Sequence, residues 1–136
     1  YARAAAWYRK AAAAGHAQAQ INLATIHMQG EGVAPNPTEA AKWFAQAAEQ
    51  GDAEGQVALG MLYALGRGVE TDLVQANKWI TLAAGQGNDE AKAALAQLSI
   101  KLTPSQLAES KKLAKEWKAK PSAAAPAQKP AKTAKN

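Results

Sequence analysis

Cysteine is absent from the 136 residues. No disulfide framework and no thiolate metal site can form, and no redox compartment can be read from the chain. Long apolar runs are missing as well. No stretch of about 18 or more apolar residues occurs, so no segment reads as a membrane span. Aromatics are scarce at 6%, although apolar residues as a class reach 48%. Much of that difference is alanine, which buries little area and packs only where helices approach closely. The composition therefore predicts an all-α protein with thin, repeated contacts instead of one deep core. The sequence opens at Tyr1, inside a helical period and without an initiator Met, so it reads as a fragment.

Charge is unevenly placed. The net charge is +5, yet residues 1–100 carry seven Lys/Arg against nine Asp/Glu, while residues 101–136 carry nine Lys against two Glu. Two regions with different jobs follow from that split.

The strongest signal is a 36-residue recurrence. Trp43 has counterparts at Trp7 and Trp79, and Gly51 at Gly15 and Gly87. Ala47-Ala48 returns as Ala11-Ala12 and Ala83-Ala84, and Leu59 as Leu23 and Leu95. Gly30, Gly32 and Val33 return as Gly66, Gly68 and Val69. Each unit reads as two helices. In the second, helix A runs from Pro37 to about Gln50, capped by Asn36, with Pro37 at the first position, where its missing N–H costs nothing. Asp72 takes the Asn36 place in the third unit. Gly51 supplies a left-handed residue to end helix A. Asp52 caps helix B, with Glu54 in its first turn, and Asn88, Asp89 and Glu90 repeat that chemistry. Helix B ends at Gly66. Phe44, Ala47, Ala48 and Gly51 share one face, where small residues admit helix B and the Trp43–Phe44 pair fills the space between units. Trp7, Trp43 and Trp79 are all read as structural.

The expected units are about 1–36, 37–72 and 73–102. The glycine turn then fails to recur: the chain reads Leu102-Thr103-Pro104-Ser105. Thr103 with Gln106 forms a capping box, and Pro104 opens a seventh helix running to about Lys118. Its expected buried stripe is Leu107, Ala114 and Trp117, helped by Leu113, with Lys111, Lys115 and Lys118 on another face. It serves as the polar-sided terminal element that solenoids need, within a capping segment 103–120. Residues 121–136, "PSAAAPAQKPAKTAKN", have no bulky apolar residue and read as a disordered tail.

The stretch "AAKWFAQAAEQGDAEGQVALGMLYALGRGV" resembles the Sel1-like repeat, a relative of the tetratricopeptide repeat. The likeness covers residues 1 to about 100, and "TPSQLAESKKLAKEW" resembles the terminal helix of many bacterial members. Ala24 and Ala96 stand where the repeat has Gly60, and His27 and Ser99 where it has Tyr63. The resemblance implies α/α hairpins stacked into a right-handed superhelical solenoid, used as an adaptor that binds other proteins. It also implies a bacterial protein, periplasmic or secreted, since members with this ending are often exported.

No catalytic, metal or cofactor site is read. His16 and His27 are the two histidines, 11 residues apart, whereas a metal site usually takes three or four ligands. His16 takes the cap place of Asp52. The carboxylates at Asp52/Glu54 and Asp89/Glu90 suit helix first turns. The Gly-x-Gly-Val turns follow no strand and lack the P-loop lysine. An enzyme is not expected.

The leading function is an interaction scaffold that holds a partner on the concave surface lined by the A helices. In the second unit the polar stripe is Glu39, Lys42, Gln46 and Glu49, spaced i, i+3, i+7, i+10. A shift of 36 gives Arg3 and Lys10 in the first unit, and Gln75 and Lys78 in the third. Arg3, Lys10, Lys42 and Lys78 make this groove mildly basic and suited to an acidic peptide. The alternative is an anionic-surface binder acting through the Lys-rich end, toward nucleic acid, lipid or cell-wall polymer. No aromatic interleaves the tail lysines, so base reading of nucleic acid is not expected. A monomer is expected.

Overall fold

The computed structural model describes residues 2–30 and 34–119, with side chains from Ala6 onward. The tail expected over 121–136 lies outside the described residues. These form seven helices and no strand: α1 Ala2–Ala13, α2 Ala17–Gln29, α3 Pro37–Glu49, α4 Ala53–Leu65, α5 Leu73–Gly85, α6 Asp89–Ser99 and α7 Pro104–Glu116. The pairs α1/α2, α3/α4 and α5/α6 are the expected A/B hairpins.

Local chemistry sets the boundaries. The side chains of Asn36, Asp52, Asp72 and Asn88 accept hydrogen bonds from the backbone N–H groups of Glu39, Gly55, Gln75 and Ala91, at 2.8–3.1 Å. Each satisfies a donor that the first helical turn leaves open. Thr103 and Gln106 close the capping box in both directions. His16 occupies the same place before α2 but makes no side-chain cap bond. The glycine turn after α4 is tightly constrained. Gly68 has φ +74°, and a Cβ there would run into the Pro37 carbonyl at the start of α3. Only glycine fits both demands.

Packing between hairpins is closer than alanine content alone conveys. Helix α2 lies against α3, and α4 against α5. A Cβ on Gly60 would come within 2.7 Å of Ile80, so the missing side chain is what lets α4 meet α5. Leu23, Ala40, Phe44, Ala47, Ala48 and Leu59 are buried in one cluster, and Val57, Ala76, Ile80, Ala83 and Leu98 in a second. Each buried Leu, Ile or Phe contributes about 1.5–3 kcal/mol.

Two expectations are corrected. Trp43 and Trp79 are buried, at 9% and 3% exposure, but Trp7 is 65% exposed. Trp43 and Trp79 belong to one buried cluster with residues of α2 and α4. The α7 stripe also differs. Ser110 and Ala114 are its fully buried residues, while Leu107, Leu113 and Trp117 are half-buried. The helix stops at Glu116, and Trp117 turns to extended backbone at φ −71°, ψ 143°.

Helix α7 does not continue the stack. A further A helix would lie against α6, as α3 lies against α2 and α5 against α4. Instead α7 packs on α5. Ala93 and Ala96 on α6 are consequently exposed where their counterparts Val57 and Gly60 are buried.

Candidate functional site

The outer faces of the A helices carry the stripe expected from spacing. Lys42 and Gln46 are exposed on α3, and Lys10 is exposed on α1. Arg3 lies in α1, but its side chain is outside the described set. Glu39 is half-exposed, and its carboxylate sits 4.0 Å from Lys42 Nζ. The Lys42 side chain is 62% exposed, so that pair is worth only about 0–1 kcal/mol. Gln46 accepts a 3.3 Å hydrogen bond from Gln20 of the preceding hairpin.

The third unit is less open. Lys78 is half-buried where its counterpart Lys42 is exposed, while Gln75 is half-buried like its counterpart Glu39. Lys78 Nζ lies 4.2 Å from the centre of the Trp79 ring, a close cation–π contact. Burial pushes the Lys78 pKa below its ordinary value, and the nearby Glu49 charge works against that push. Tyr63 shows the opposite: burial raises its pKa, and the charges of Asp72 and Glu49 raise it further. Lys42 and Lys78 therefore occupy equivalent positions in two different surroundings, while Lys10 is the counterpart of Gln46.

The cause in the third unit is α7. Asn77, 1% exposed, donates a 2.6 Å hydrogen bond to Ser110 Oγ of α7. The Trp117 and Trp79 rings meet edge to face at 6.0 Å. Trp117 also reaches Gly51, at the end of α3, where a Cβ would stand 3.7 Å from its ring and 3.6 Å from Ala119. Asn77 and Trp79 are about 200° apart around α5 at the α-helical 100° per residue. Ala76 and Ile80, on the face between them, pack against α4. Helix α7 must therefore pass over the outer face of α5, the one bearing Lys78 and Leu82.

A second set of polar residues joins the hairpins and was not expected from the sequence. Gln20 and Gln56 are buried and 36 residues apart. Gln20 donates to the Ala12 carbonyl at 3.1 Å, and Gln56 to the Ala48 carbonyl at 3.3 Å, each tying helix B to the end of its own helix A. Gln50 then donates to Gln20 Oε1, and Gln86 to Gln56 Oε1, both at 2.9 Å. Gln86 also donates to the Gly51 carbonyl. This ladder links successive units across the seam beneath the A-helix face. It ends at Lys92, the third counterpart, whose ammonium group cannot accept a hydrogen bond. The recurrence of Gln20/Gln56 and Gln50/Gln86 at the repeat spacing is the sequence signal that could have revealed it.

Among the described residues, no group of three or more His, Asp or Glu converges as a metal site would require. No helix among them is long and apolar enough to cross a membrane.

The family model of the Sel1 repeat matches residues 1–16, 17–52 and 53–88. Its unit begins at helix B and ends with the next helix A, the pairing seen in α2/α3 and α4/α5. No curated protein matches the chain. Among solved structures, a protective antigen of uropathogenic Escherichia coli strains with an SLR fold superposes with a TM-score of 0.84 at 39% identity. That match covers 94% of this chain and 28% of the antigen. A Sel1 repeat protein from Oxalobacter formigenes superposes with a TM-score of 0.65 at 37% identity, over 67% of this chain and 37% of that one. The chain thus spans about a third of the length of these bacterial relatives.

Proposed function

The chain belongs to the Sel1 repeat family, whose repeats generally mediate protein–protein interaction, and on that premise we propose that it is a scaffold holding a protein segment along the A-helix face. What supports this reading is the recurrence of exposed polar residues on the A helices, Lys10, Lys42 and Gln46 among them, with Lys42 and Lys78 each beside the tryptophan that follows it. The Gln ladder supports it, because bonds that lock unit to unit hold the stripe in fixed register. That stripe suits an acidic segment. This reading requires no chemistry from the chain, and the Asp52 and Asp72 carboxylates serve as helix caps.

The test is partner capture from a bacterial lysate. Charge reversal at Lys42 and Lys78 should abolish it, and deletion of residues 121–136 should leave it intact. Capture through the Lys-rich end would show the reverse pattern and weaken steeply with salt, because several lysines would release counterions together. Retained capture by the double charge-reversal variant, with loss on tail deletion, overturns the scaffold reading.

A further inference from the structure

We propose that the solvent-open face of α6 is a second docking surface, and that its occupant is an α-helix of another protein, shaped like the A helices of this chain and bearing a carboxylate that meets Lys92. This surface is separate from the A-helix face and does not depend on that reading.

The seams inside the array show what such a face holds. On α4 the side turned to α5 is formed by Gln56, Val57 and Gly60, all buried, with Ala64 half-buried. Gly60 lies directly against Ile80, and Val57 shares a cluster with Ala76, Ile80 and Ala83. The seam between α2 and α3 follows the same rule, with Ala24 and Phe44 buried in one cluster. A small residue on helix B thus faces a bulky one on the next helix A. Helix α6 repeats this side as Lys92, Ala93, Ala96 and Ile100, and all four are exposed. Ile100, at 84%, is the most open large apolar side chain among the described residues. Because α7 packs on α5, it leaves this slot unfilled. The helix that fits is read from α3: a small residue, a bulky one four positions on and a small one three further, as in Ala40, Phe44 and Ala47.

Lys92 sets the chemistry at the end of that helix. Gln50 donates to Gln20 and Gln86 to Gln56, each from three positions beyond the second small residue. On α6 the receiving glutamine is replaced by Lys92, which only donates, so the incoming helix needs an acceptor there. A carboxylate makes the strongest such bond. Among the described residues Lys92 makes no ion pair within 4.0 Å. Asp89 and Glu90 lie in the first turn of α6, where the helix dipole favours them, and leave this donor unmatched.

The occupants nearest to hand do not suit the slot. In the first seam Gln20 donates to Gln46, whose counterpart on α1 is Lys10. A second copy stacked through α1 would therefore bring Lys10 toward Lys92, with Ala14 in the place of Gln50. Residues 121–136 contain neither a bulky apolar residue nor an acidic one. A helix from another protein meets both demands.

The probe is a peptide of residues 36–52, held helical by a lactam between Thr38→Glu and Lys42 on its outer side and carrying either Gln50→Glu or Gln50→Lys. NMR titration into the ¹⁵N-labelled full chain should place the shifts at Ala93, Ala96 and Ile100. The Gln50→Glu peptide should bind about tenfold or more tighter than the Gln50→Lys one. Lys92→Glu in the chain should invert that order. Phe44→Ala in the peptide and Ala96→Arg in the chain should each weaken binding about tenfold or more. Lys92 and Ala96 are exposed, so both chain variants keep the fold. Charge reversal at Lys42 and Lys78 of the chain should leave binding unchanged.

No binding of the Gln50→Glu peptide at about 1 mM overturns the proposal. So do shifts centred on the A helices, loss of binding on Lys42 and Lys78 reversal, or an unchanged order with Lys92→Glu. Concentration-dependent shifts at Ala93, Ala96 and Ile100 in the unaltered chain alone would make a second copy the occupant and overturn it as well.

Discussion

The first and third hairpins treat the same repeated residues differently. Trp7 and Trp79 are equivalent in sequence, yet Trp7 is 65% exposed and Trp79 is 3% exposed. His16 stands at the cap position of α2 without capping it, whereas Asn88 caps α6. The outer face of α1 carries an exposed Lys10, while α7 lies over the face of α5 that holds Lys78. A repeat motif specifies a hairpin. What surrounds the hairpin decides whether a given residue is core, surface or binding site.

The tryptophans give the largest expected effect. Trp79→Ala should destabilise the chain by about 3–5 kcal/mol, and Trp43→Ala by a similar amount, the range for losing a large buried aromatic. Trp7→Ala should cost under about 1 kcal/mol, as surface substitutions do. Urea unfolding measures all three. Equal losses for Trp7 and Trp79 would erase the difference between the two hairpins.

The ladder comes next. Gln56→Ala should cost about 1–3 kcal/mol, because it leaves Gln86 without its buried acceptor. Its third-unit counterpart Lys92 is exposed, and Lys92→Ala should stay within about 0.5 kcal/mol. Urea midpoints for the pair would show whether the seam between units carries more weight than the last hairpin.

The caps should respond more gently and with opposite sign. Asp52→Ala loses a working cap and should cost about 1 kcal/mol. His16→Asp supplies a cap that α2 lacks and should gain about 0.5–1 kcal/mol. Thermal melts at fixed pH would register the first as a fall in midpoint and the second as a rise.

Much of this architecture was legible beforehand, and the reasons are physical. Caps, capping box and glycine stops depend on neighbours within a few residues, so Asn36, Asp52, Asp72, Asn88 and Thr103 could be placed from the text. The hairpins followed from the 36-residue period. Gln20 and Gln56 were missed because a glutamine in an alanine-rich helix reads as surface, and its burial depends on a carbonyl from another helix. Ser110 was missed from the α7 stripe for the same reason: its partner, Asn77, is 33 positions away. The exposure of Trp7 depends on what lies against α1, which the motif does not encode. The candidate stripe was found as a pattern, but the covering of its third unit by α7 was not, since a terminal helix is expected to stack on the last hairpin.

The smallest expected effect concerns pH. Burial and the Asp72 and Glu49 charges hold the Tyr63 pKa above its ordinary value of 10.0. The folded chain then keeps this proton where the unfolded chain releases it. That contribution is fully present below pH 10.0 and is lost as pH rises from there through the folded pKa. Tyr63→Phe should therefore lose less stability than the unaltered chain between about pH 9 and pH 11. Lys78 runs the other way. Its lowered pKa makes stability rise with pH across the window ending at 10.5, so the two partly offset in a bulk titration. Urea midpoints at the two pH values would separate the Tyr63 effect.

Indole N–H exchange, followed by NMR on the ¹⁵N-labelled full chain, tests most directly whether α7 covers the A-helix face. Trp43 Nε1 and Trp117 Nε1 are both buried, one in the stack and one under α7, while Trp7 is open. The order of exchange should be Trp7 fastest, Trp117 intermediate and Trp43 slowest. Exchange of Trp117 as fast as Trp7 would contradict the docking of α7.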